Sequence, residues 1–572
     1  MLVVVLMNTC FPAMLANAAS TINPVIFVED DIAEILDQSQ YHQEILEQEQ
    51  SYNQIIGEYL RQKDNLRSNR DFSFAHSSIA YFEYASDSII EIHIPKPQLL
   101  PTGITLYVGG YGPNNYTKIQ DAIDDASEGD IVFVYNDSSP YKESVSISKN
   151  ISLIGEERNS TVIESAHNDT MVISIYSEWA YIKGFTLKNG RCGILIHPYN
   201  LNVTCNITIN DNSIVNNKEY GIHSLNARHT ITNNFISGNQ QRGIDLLYTH
   251  LSDSNNNIIS GNIISKNQEY GIYFGWGSTS NIINNNIIKE NKFSGIFIGG
   301  AYNTIINNNI SGNGGDGIKG DYKNTTIEGN TISNNKLSGI RLLTASNSIV
   351  INNNCTENRV DGIVLISADD NIIENNTCLN HMKGIAVRNS FGNLLRKNIC
   401  NYNEQGILLN YAPFTIITDN DCSYNKIGIF QYGSSVNVIS ENTCNDCSLG
   451  GITLISSDLN FLTLNHINHG WNGLWIEKSF SNLIRKNNIA ENNGIGLILM
   501  YTVGNRISHN NIYNSIRYDL SGMLCFDYAR FNYWGGGVPE IFKKMLVLGW
   551  VRLQPPLNNP VDTSTNLRDI DS

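Results

Sequence analysis

The residues best suited to chemistry occupy one recurring position, x, in a repeated Gly-Ile-x segment. His223 and Asp245 both stand at x and are 22 residues apart. If consecutive repeats stack in register, their side chains lie one turn apart, close enough to act as a base and acid pair in proton transfer. Lys319 and Arg341 share the position, again 22 residues apart. Two adjacent cations predict a site for an anion such as the carboxylate of a uronate sugar.

Aromatic residues stand between these two pairs. Tyr273 and Phe297 fill x in the intervening repeats, where they would offer faces for sugar rings. Two long repeats place extra residues nearby, at 198–205 and 249–254, and such insertions commonly build the binding groove of a solenoid. The other substrate-binding candidates, at the edge of the same sheet, are Arg242, Tyr248, Trp276, Asp316, Asp321 and Tyr322. The alternative is a solvated sheet face whose polar and aromatic residues have no common function.

Five of the ten cysteines occupy a second column of the repeat, where other repeats carry Ile. They are Cys355, Cys378, Cys400, Cys422 and Cys444. This spacing favours a stack of small buried apolar side chains, because in-register neighbours have poor geometry for a disulfide. The alternative is a soft-metal site for copper, which requires buried thiolates. We expect no cofactor, with copper or calcium as the alternative.

The element that positions these residues is the repeat itself. Gly followed by Ile or Leu recurs at intervals of 22 or 23 residues, with three longer intervals of 24 or 28. Within one repeat, apolar residues fall in three short segments, as at Ile363 and Leu365, then Ile372, then Cys378. The glycines are Gly193, Gly221, Gly243, Gly271, Gly295, Gly317, Gly339, Gly362, Gly384, Gly406, Gly428, Gly451, Gly473 and Gly496.

The fold class predicted from this pattern is all-β: a right-handed parallel β-helix of three sheets, with about 22 residues per coil and an N-terminal helical extension. Asn makes up roughly 14% of the chain, several times its ordinary usage. It recurs at equivalent corners, where it tolerates a left-handed backbone and can bond to the copies above and below. A leucine-rich repeat is disfavoured because Ile predominates and Gly and Asn are too dense for helix. The corner residues are Asn376, Asn398, Asn420, Asn442, Asn465, Asn487 and Asn510.

The ends of the chain differ from the repeat. Residues 1–19 resemble a signal peptide, and residues 20–100 form an acidic extension with helical spacing between 28 and 69 and a Pro-rich linker. The β-helix is assigned to 101–534, and a cap and tail to 535–572. A short helix from Ile119 to Ala126, followed by a strand from Ile131 to Tyr135, is expected to cover the open first edge of the solenoid.

The Gly-Ile-x-Leu repeats with Asn-x-Ile corners resemble the pectate-lyase-like superfamily. The resemblance covers about residues 104–534 and is strongest to the carbohydrate-binding and sugar-hydrolase branch, which includes the NosD-type periplasmic copper-processing proteins. It extends to the closing motif from Asn532 to Gly535. These motifs specify the fold strongly and the function weakly. The Asp-Pro-His-Asp and Gly-His-Gly signatures of enzymes in the superfamily are absent from the sequence.

The function predicted from these features is that of an extracellular, cell-surface or periplasmic protein that binds polysaccharide or a glycoconjugate along repeats 221–341. The formal net charge of −16 and the scattered basic residues argue against nucleic acid as a partner. No apolar run is long enough to span a membrane. The N-terminal helices offer a contact for another protein. The alternatives are a polysaccharide lyase, epimerase or hydrolase with His223 and Asp245 as catalytic residues, a NosD-like copper-site maturation protein, and a structural surface solenoid.

Overall fold

The structure is a computed structural model that describes residues 82–84, 90–92, 103–167, 169–197, 205–247, 255–535, 545–553 and 556–563. The predicted signal peptide, the predicted helices between 28 and 69, and Tyr248 lie outside the described residues. Two compact units divide the described chain. The larger unit comprises residues 82–430 and 434–438, and the smaller unit comprises residues 431–433 and 439–563.

The larger unit is an all-β parallel solenoid, as predicted. Each turn contributes short strands to up to three columns, and each strand pairs in parallel with its equivalent one turn away. In the first column Ile222 pairs with Ile244, and in the third column Ile236 pairs with Ile264. These isoleucines are fully buried. Because side chains alternate across a strand, the residue between two inward positions faces outward.

The strands of the larger unit fall into the three columns as follows. The first column contains Val145–Ile147, Ile173–Ile175, Ile194–Ile196, Ile222–Ser224, Ile244–Leu246, Ile272–Phe274, Ile296–Ile298, Ile318–Lys323, Ile340–Ser346, Asp361–Ile366, Lys383–Arg388 and Gln405–Asn410. The second contains Thr105–Val108, Ile131–Val134, Ile151–Gly155, Trp179–Lys183, Asn206–Asn210, Thr230–Thr232, Ile258–Ser260, Ile282–Asn284, Thr304–Ile306, Thr326–Glu328, Ile349–Ile351, Ile372–Glu374, Leu394–Arg396 and Ile416–Thr418. The third contains Tyr141–Lys142, Val162–Glu164, Thr186–Lys188, Ser213–Val215, Phe235–Ser237, Ile263–Ser265, Ile287–Lys289, Asn309–Ser311, Thr331–Ser333, Asn354–Thr356 and Thr377–Leu379.

The smaller unit has the same parallel three-column arrangement. Its first column contains Gly450–Ile455, Leu474–Glu477, Ile495–Met500, Tyr518–Tyr528 and Met545–Arg552. Its second contains Phe461–Thr463, Leu483–Arg485 and Val503–Ser508, and its third contains Asn488–Ala490 and Asn511–Tyr513. Elsewhere in the chain, Phe82–Tyr84 pairs antiparallel with Ile90–Ile92. The strands Ile427–Tyr432 and Val438–Ser440 each contain residues assigned to both units.

The predicted opening helix is confirmed and spans Ile119–Asp125. It buries Ile119, Ala122 and Ile123. Both carboxylate oxygens of Glu143 accept from the first backbone N–H groups of the helix, each at 3.0 Å. At the other end, Lys149 Nζ donates to the carbonyls of Ile123, Asp124 and Ala126. A carboxylate at the N-terminus and an ammonium at the C-terminus both oppose the helix dipole, so these two side chains stabilise the helix where it packs on the first strands.

The repeated glycine has a steric cause. A Cβ atom on Gly221 would lie 2.5 Å from the carbonyl oxygen of Gly243 and 2.7 Å from Cγ2 of Ile236. Consecutive turns therefore approach each other too closely here for any larger residue. This close approach explains why the Gly-Ile phase marks the repeat so clearly in the sequence.

Buried asparagines form ladders at the corners of the larger unit. Asn286 donates from its backbone N–H and from Nδ2 to Oδ1 of Asn308, each at 2.9 Å, and Nδ2 also donates to the carbonyl of Ile259. The left-handed residue is the one before it, Asn285, with φ 54°. The prediction was correct about amide stacking but wrong in giving the left-handed backbone to the same residue. In a later turn the equivalent left-handed position is occupied by Lys397, because only the ladder residue that follows it needs an amide side chain.

Three such ladders run through the larger unit, two more than the sequence predicted. Their longest asparagine runs are Asn212, Asn234, Asn262, Asn286, Asn308, Asn330, Asn353, Asn376, Asn398 and Asn420; Asn217, Asn239, Asn267, Asn291, Asn313, Asn335 and Asn358; and Asn257, Asn281 and Asn303. Within each run the amide donates to the asparagine of the next turn, as Asn267 does to Asn291, and the last amides of two runs, Asn303 and Asn358, donate to backbone carbonyls of the preceding turn. The polar groups at the corners are thus satisfied inside the protein.

Candidate functional site

The outward positions of the first column form one continuous row in the larger unit. Cα partners in this row are, in order, Leu195, His223, Asp245, Tyr273, Phe297, Lys319, Arg341 and Val364. We call this row the outer ladder. The structure therefore brings together the residues that sequence spacing assigned to one position.

His223 and Asp245 form a direct pair on the outer ladder. The His223 Nδ1 atom lies 2.7 Å from Oδ2 of Asp245, and the Asp245 side chain is fully buried. The second carboxylate oxygen, Oδ1, accepts from Arg242 at 2.6 Å. Because an ionised carboxylate can only accept, Nδ1 of His223 donates the hydrogen bond in this pair, and Nε2 is the ring nitrogen outside the contact. This arrangement orients the imidazole for proton transfer or for binding a donor.

Two residues that the sequence analysis missed complete this cluster. Tyr220 stacks on the His223 ring with 4.8 Å between centroids, and Glu269 binds Nε of Arg242 at 3.1 Å. Burial raises the pKa of Tyr220, and the Asp245 charge raises it further. Tyr220 stands directly before the glycine of its repeat, as Arg242 does. Reading that position in every repeat would have found it.

Tyr273 does not offer a free face to a sugar. The guanidinium carbon of Arg242 lies 3.7 Å from the centroid of its ring. The Phe297 ring stacks on Tyr273 with 4.8 Å between centroids and 9° between planes. The expectation of a sugar-stacking surface at Tyr273 is therefore wrong, because neighbouring side chains cover it. Trp276, just beyond this strand, is 62% exposed and keeps its ring accessible.

The two cations farther along the outer ladder differ in their partners. Arg341 Nε donates to Oδ1 of Asp316 at 3.0 Å, and its Nη2 lies 3.4 Å from Oγ of Ser338. Lys319, its Cα partner, makes no ion pair with any described residue. Burial raises the pKa of Asp321 on the same strand, and the charge of Lys319 opposes that rise. The positive charge of Arg341 is thus already balanced, whereas that of Lys319 is available to an anion.

Two predicted surface residues are buried. Asp316 is 1% exposed and accepts from the Ser338 backbone as well as from Arg341. Tyr322 is 2% exposed, burial raises its pKa, and its hydroxyl has no hydrogen-bond partner among the described residues. Tyr322 stands two residues from Gly320 and four from Ile318, so strand alternation turns it inward. Their assignment to a binding surface was wrong, and the period of two could have excluded Tyr322.

The cysteine column of the larger unit is buried. Cys355 and Cys378 are Cα partners, and Cys378 also contacts Cys400. All of the predicted column cysteines are buried and form no disulfide, including Cys444 in the smaller unit. The hydrogen bond that the Cys355 thiol donates to Cys378, together with burial, raises the pKa of Cys355. The hydrogen bonds to Cys355 and Cys400 lower the pKa of Cys378, whereas burial is the main cause that raises the pKa of Cys400. The described residues contain no group of three or more His, Cys, Asp or Glu placed to hold a metal ion.

Comparison with known proteins places the chain in a family. The family described as "Periplasmic copper-binding protein (NosD)" matches residues 247–382, 317–412 and 357–538, together just over half of the chain. The chain belongs to this family. The description "Right handed beta helix region" matches residues 171–299, in agreement with the predicted hand of the solenoid.

Individual relatives are more distant. A cell surface glycoprotein of Methanothermus fervidus is 33% identical over 108 residues, which are 18% of this chain and 17% of that protein. The match therefore spans under a fifth of that relative's length.

Solved structures match with low identity. The Dettilon tailspike protein is 17% identical with a TM-score of 0.41, covering 51% of this chain and 66% of that one. The A-module of the mannuronan C-5 epimerase AlgE4 of Azotobacter vinelandii is 13% identical with a TM-score of 0.30, covering 78% and 95%. The periplasmic alginate epimerase AlgG is 16% identical with a TM-score of 0.33, covering 54% and 78%. No functional conclusion follows from likenesses this distant.

Within the described part of the chain, the helices are too short or too polar to cross a bilayer.

Proposed function

We propose that this protein acts outside the cytoplasm and binds an acidic polysaccharide along the outer ladder between His223 and Arg341. The observation that carries the proposal is the lone positive charge of Lys319. Arg242, Asp245 and Arg341 are all paired with opposite charges, whereas Lys319 forms no salt bridge with any residue that the structure describes and acts on Asp321 only at longer range. A carboxylate of a bound sugar would supply its missing partner.

The neighbours of Lys319 suit a sugar as the bearer of that carboxylate. Phe297 precedes Lys319 on the outer ladder, is half-buried, and contacts the rings of Tyr273 and Tyr270. The half-exposed Asp321 stands two residues farther along the strand and can accept from sugar hydroxyls. An aromatic ring, a cation and a hydrogen-bond acceptor on one open face are the groups that recognise an acidic sugar.

A location outside the cytoplasm has separate support. Residues 1–19 have the pattern of a signal peptide. The family is described as periplasmic, and the archaeal relative is named a cell surface glycoprotein.

Binding of the full chain to an array of acidic and neutral polysaccharides tests the proposal. Lys319→Met should weaken binding of uronate-containing glycans at least tenfold, because a hydrogen bond to a charged group is worth about 1.5–3 kcal/mol. Lys336→Met is the matched control, since Lys336 is an exposed lysine at a corner away from the outer ladder. Equal binding by both variants, or no preference for acidic glycans, would refute the proposal.

A second candidate function, proton transfer to or from a bound polysaccharide by a lyase or epimerase, is favoured by the His223 and Asp245 pair. Nδ1 is held by a fully buried carboxylate, so Nε2 is the atom that would exchange the proton. Incubation of the protein with acidic polysaccharides should then yield unsaturated or epimerised products that are lost in His223→Ala. The Asp245→Asn variant should lower the rate less than His223→Ala, because it alters the orientation and tautomer of the imidazole without removing it. Unchanged product formation in His223→Ala excludes this role.

Copper-site maturation is the alternative that the family description suggests. Metal analysis of purified protein tests it, with a Cys378→Ala and Cys400→Ala double variant as the comparison. Stoichiometric copper that is lost in this variant would support that role.

A further inference from the structure

We propose that Asn309 and Asn354 carry N-linked glycans on the face formed by the third column of the larger unit. This inference rests on the proposed location outside the cytoplasm, but not on the proposed binding of polysaccharide. From residue 205 onward the chain contains five Asn-x-Ser/Thr sequons, the acceptor sequence for N-glycosylation. They begin at Asn206, Asn309, Asn324, Asn354 and Asn375.

An asparagine-rich chain generates sequons by chance, but the structure separates two classes of asparagine. The ladder asparagines are buried and use their amides within the protein, as Asn308 does with Asn330. None of the ladder asparagines begins a sequon. The sequon asparagines are therefore different residues from the ladder asparagines that stabilise the fold.

Strand geometry presents two of these sequons to solvent as complete units. In Asn309–Ser311 and Asn354–Thr356, the asparagine is exposed and the hydroxyl residue is half-buried. The middle residues, Ile310 and Cys355, are fully buried in the core. A sequon has its two functional residues at i and i+2, and a strand turns i and i+2 to the same face. Asparagine and hydroxyl therefore lie side by side on the outside of the solenoid.

The face around these residues is exposed, and its largest side chain next to Asn309 is Ile287, the Cα partner of Asn309 one turn before. Thr331, the Cα partner of both asparagines in the intervening turn, is exposed and small. Neither side-chain amide of Asn309 or Asn354 has a hydrogen-bond partner among the described residues. Attachment of a glycan would therefore break no contact within the described chain. The two sites are two turns apart, so both can be occupied in one molecule.

The other three sequons differ in other ways, although Asn206 and Thr208 show the same alternation of an exposed asparagine and a half-buried hydroxyl residue. Asn324 and Asn375 lie at left-handed turns, with φ 50° and 52°. In the sequon of Asn324 the hydroxyl residue, Thr326, is buried. Asn206 lies on the second column directly opposite the bulky Trp179. Among the five sequons from residue 205 onward, the two third-column sites combine an exposed acceptor and a half-buried hydroxyl with the small Thr331 as a shared Cα partner.

The reaction needs an activated sugar as co-reactant, a glycosyl donor whose anomeric carbon bears a pyrophosphate leaving group. Nδ2 of the asparagine forms a bond to that carbon as the bond from the carbon to the pyrophosphate oxygen breaks. The amide loses one proton to a base of the transferase, and the pyrophosphate leaves with the bonding electrons. No oxidant or reductant takes part.

Secretion of the full chain from a eukaryotic cell line, followed by peptide mapping with mass spectrometry, tests the proposal. We expect glycosylated peptides containing Asn309 and Asn354. Asn309→Gln and Asn354→Gln should each remove the mass of one glycan and leave the thermal unfolding curve of the enzymatically deglycosylated protein unchanged. Ser311→Ala should also remove the glycan at Asn309, whereas Ser311→Thr should retain it. This pair separates acceptor recognition from an effect on folding, because Ser and Thr both occur at this position in the column.

The proposal is overturned if Asn309 and Asn354 are unmodified in secreted, folded protein that carries glycans at other sequons. It is also overturned if Ser311→Ala leaves the glycan at Asn309 in place. Failure here leaves the polysaccharide proposal intact, because the third column and the outer ladder are different faces of each turn. Conversely, loss of glycan binding in Lys319→Met does not alter the peptide map.

Discussion

Replacement of one ladder asparagine tests the physical account of the fold most directly. In the native structure Asn308 Nδ2 donates to Asn330 Oδ1 at 3.0 Å and to the carbonyls of Ile283 and Ile306 at 2.9 and 3.0 Å. Its Oδ1 accepts from the backbone N–H and from Nδ2 of Asn286, both at 2.9 Å. The substitution Asn308→Ala removes all of these bonds from a site that is 1% exposed.

The expected loss follows from the groups left without partners. Asn286 Nδ2 keeps its bond to the carbonyl of Ile259, but the backbone N–H of Asn286 loses its acceptor. A net value of about 1 kcal/mol per bond, with a larger cost for a buried unsatisfied group, predicts a loss of about 3–5 kcal/mol. The matched control is Asn307→Gly, since Asn307 is exposed with φ 55°. Glycine suits that backbone, so the control should change stability by less than about 0.5 kcal/mol.

Equilibrium chemical denaturation gives the free energy of unfolding of each variant, and hydrogen exchange with mass spectrometry locates the change. Stability in a solenoid is a sum of local terms, so protection should fall most in the turns that contain Asn286, Asn308 and Asn330. A loss below about 1 kcal/mol in Asn308→Ala would refute the view that the amides stabilise the corners. A larger loss in Asn307→Gly than in Asn308→Ala would refute the division between left-handed and ladder residues.

Three further predictions concern other buried contacts. His381 occupies a ladder position and contacts the carbonyls of Asn358 and Cys355. The substitution His381→Asn should therefore be tolerated, whereas His381→Leu should lower the unfolding free energy by about 2 kcal/mol. Lys149→Met should lower the unfolding free energy by about 1–2 kcal/mol and speed hydrogen exchange in Ile119–Asp125, because three helix carbonyls lose their cation. Equal hydrogen exchange in the wild-type protein and the variant would contradict this. The column thiols are buried and form no disulfides, so they should react with a thiol reagent in denaturant and not in the folded protein. Fast labelling of the native chain would show that the column is accessible.

Much of the fold could be predicted because the spacing of the repeated residues follows from the stacking of the turns. The glycine before each first-column strand is fixed by the close approach of the turns, so its spacing gives the register directly. That register then placed His223 beside Asp245 and Lys319 beside Arg341 on the outer ladder. The left-handed corner was misassigned because Asn often fills both neighbouring positions, and the sequence alone does not show which amide is buried.

The accessibility of side chains on the outer ladder could not be predicted in the same way. A column in the sequence fixes which residues are neighbours, but not which neighbours cover one another. Arg242 lies over Tyr273 because Asp245 and Glu269 hold its guanidinium there, and these contacts join two neighbouring turns. Asp316 is likewise withdrawn from the surface by Arg341 one turn away. Charged and aromatic residues at neighbouring positions form contacts with one another. A ligand is therefore recognised by the groups that remain outside these contacts. On this face the groups outside these contacts include Nε2 of His223, the ammonium of Lys319 and the half-exposed Asp321, and a ligand that engages both His223 and Lys319 must extend along several turns.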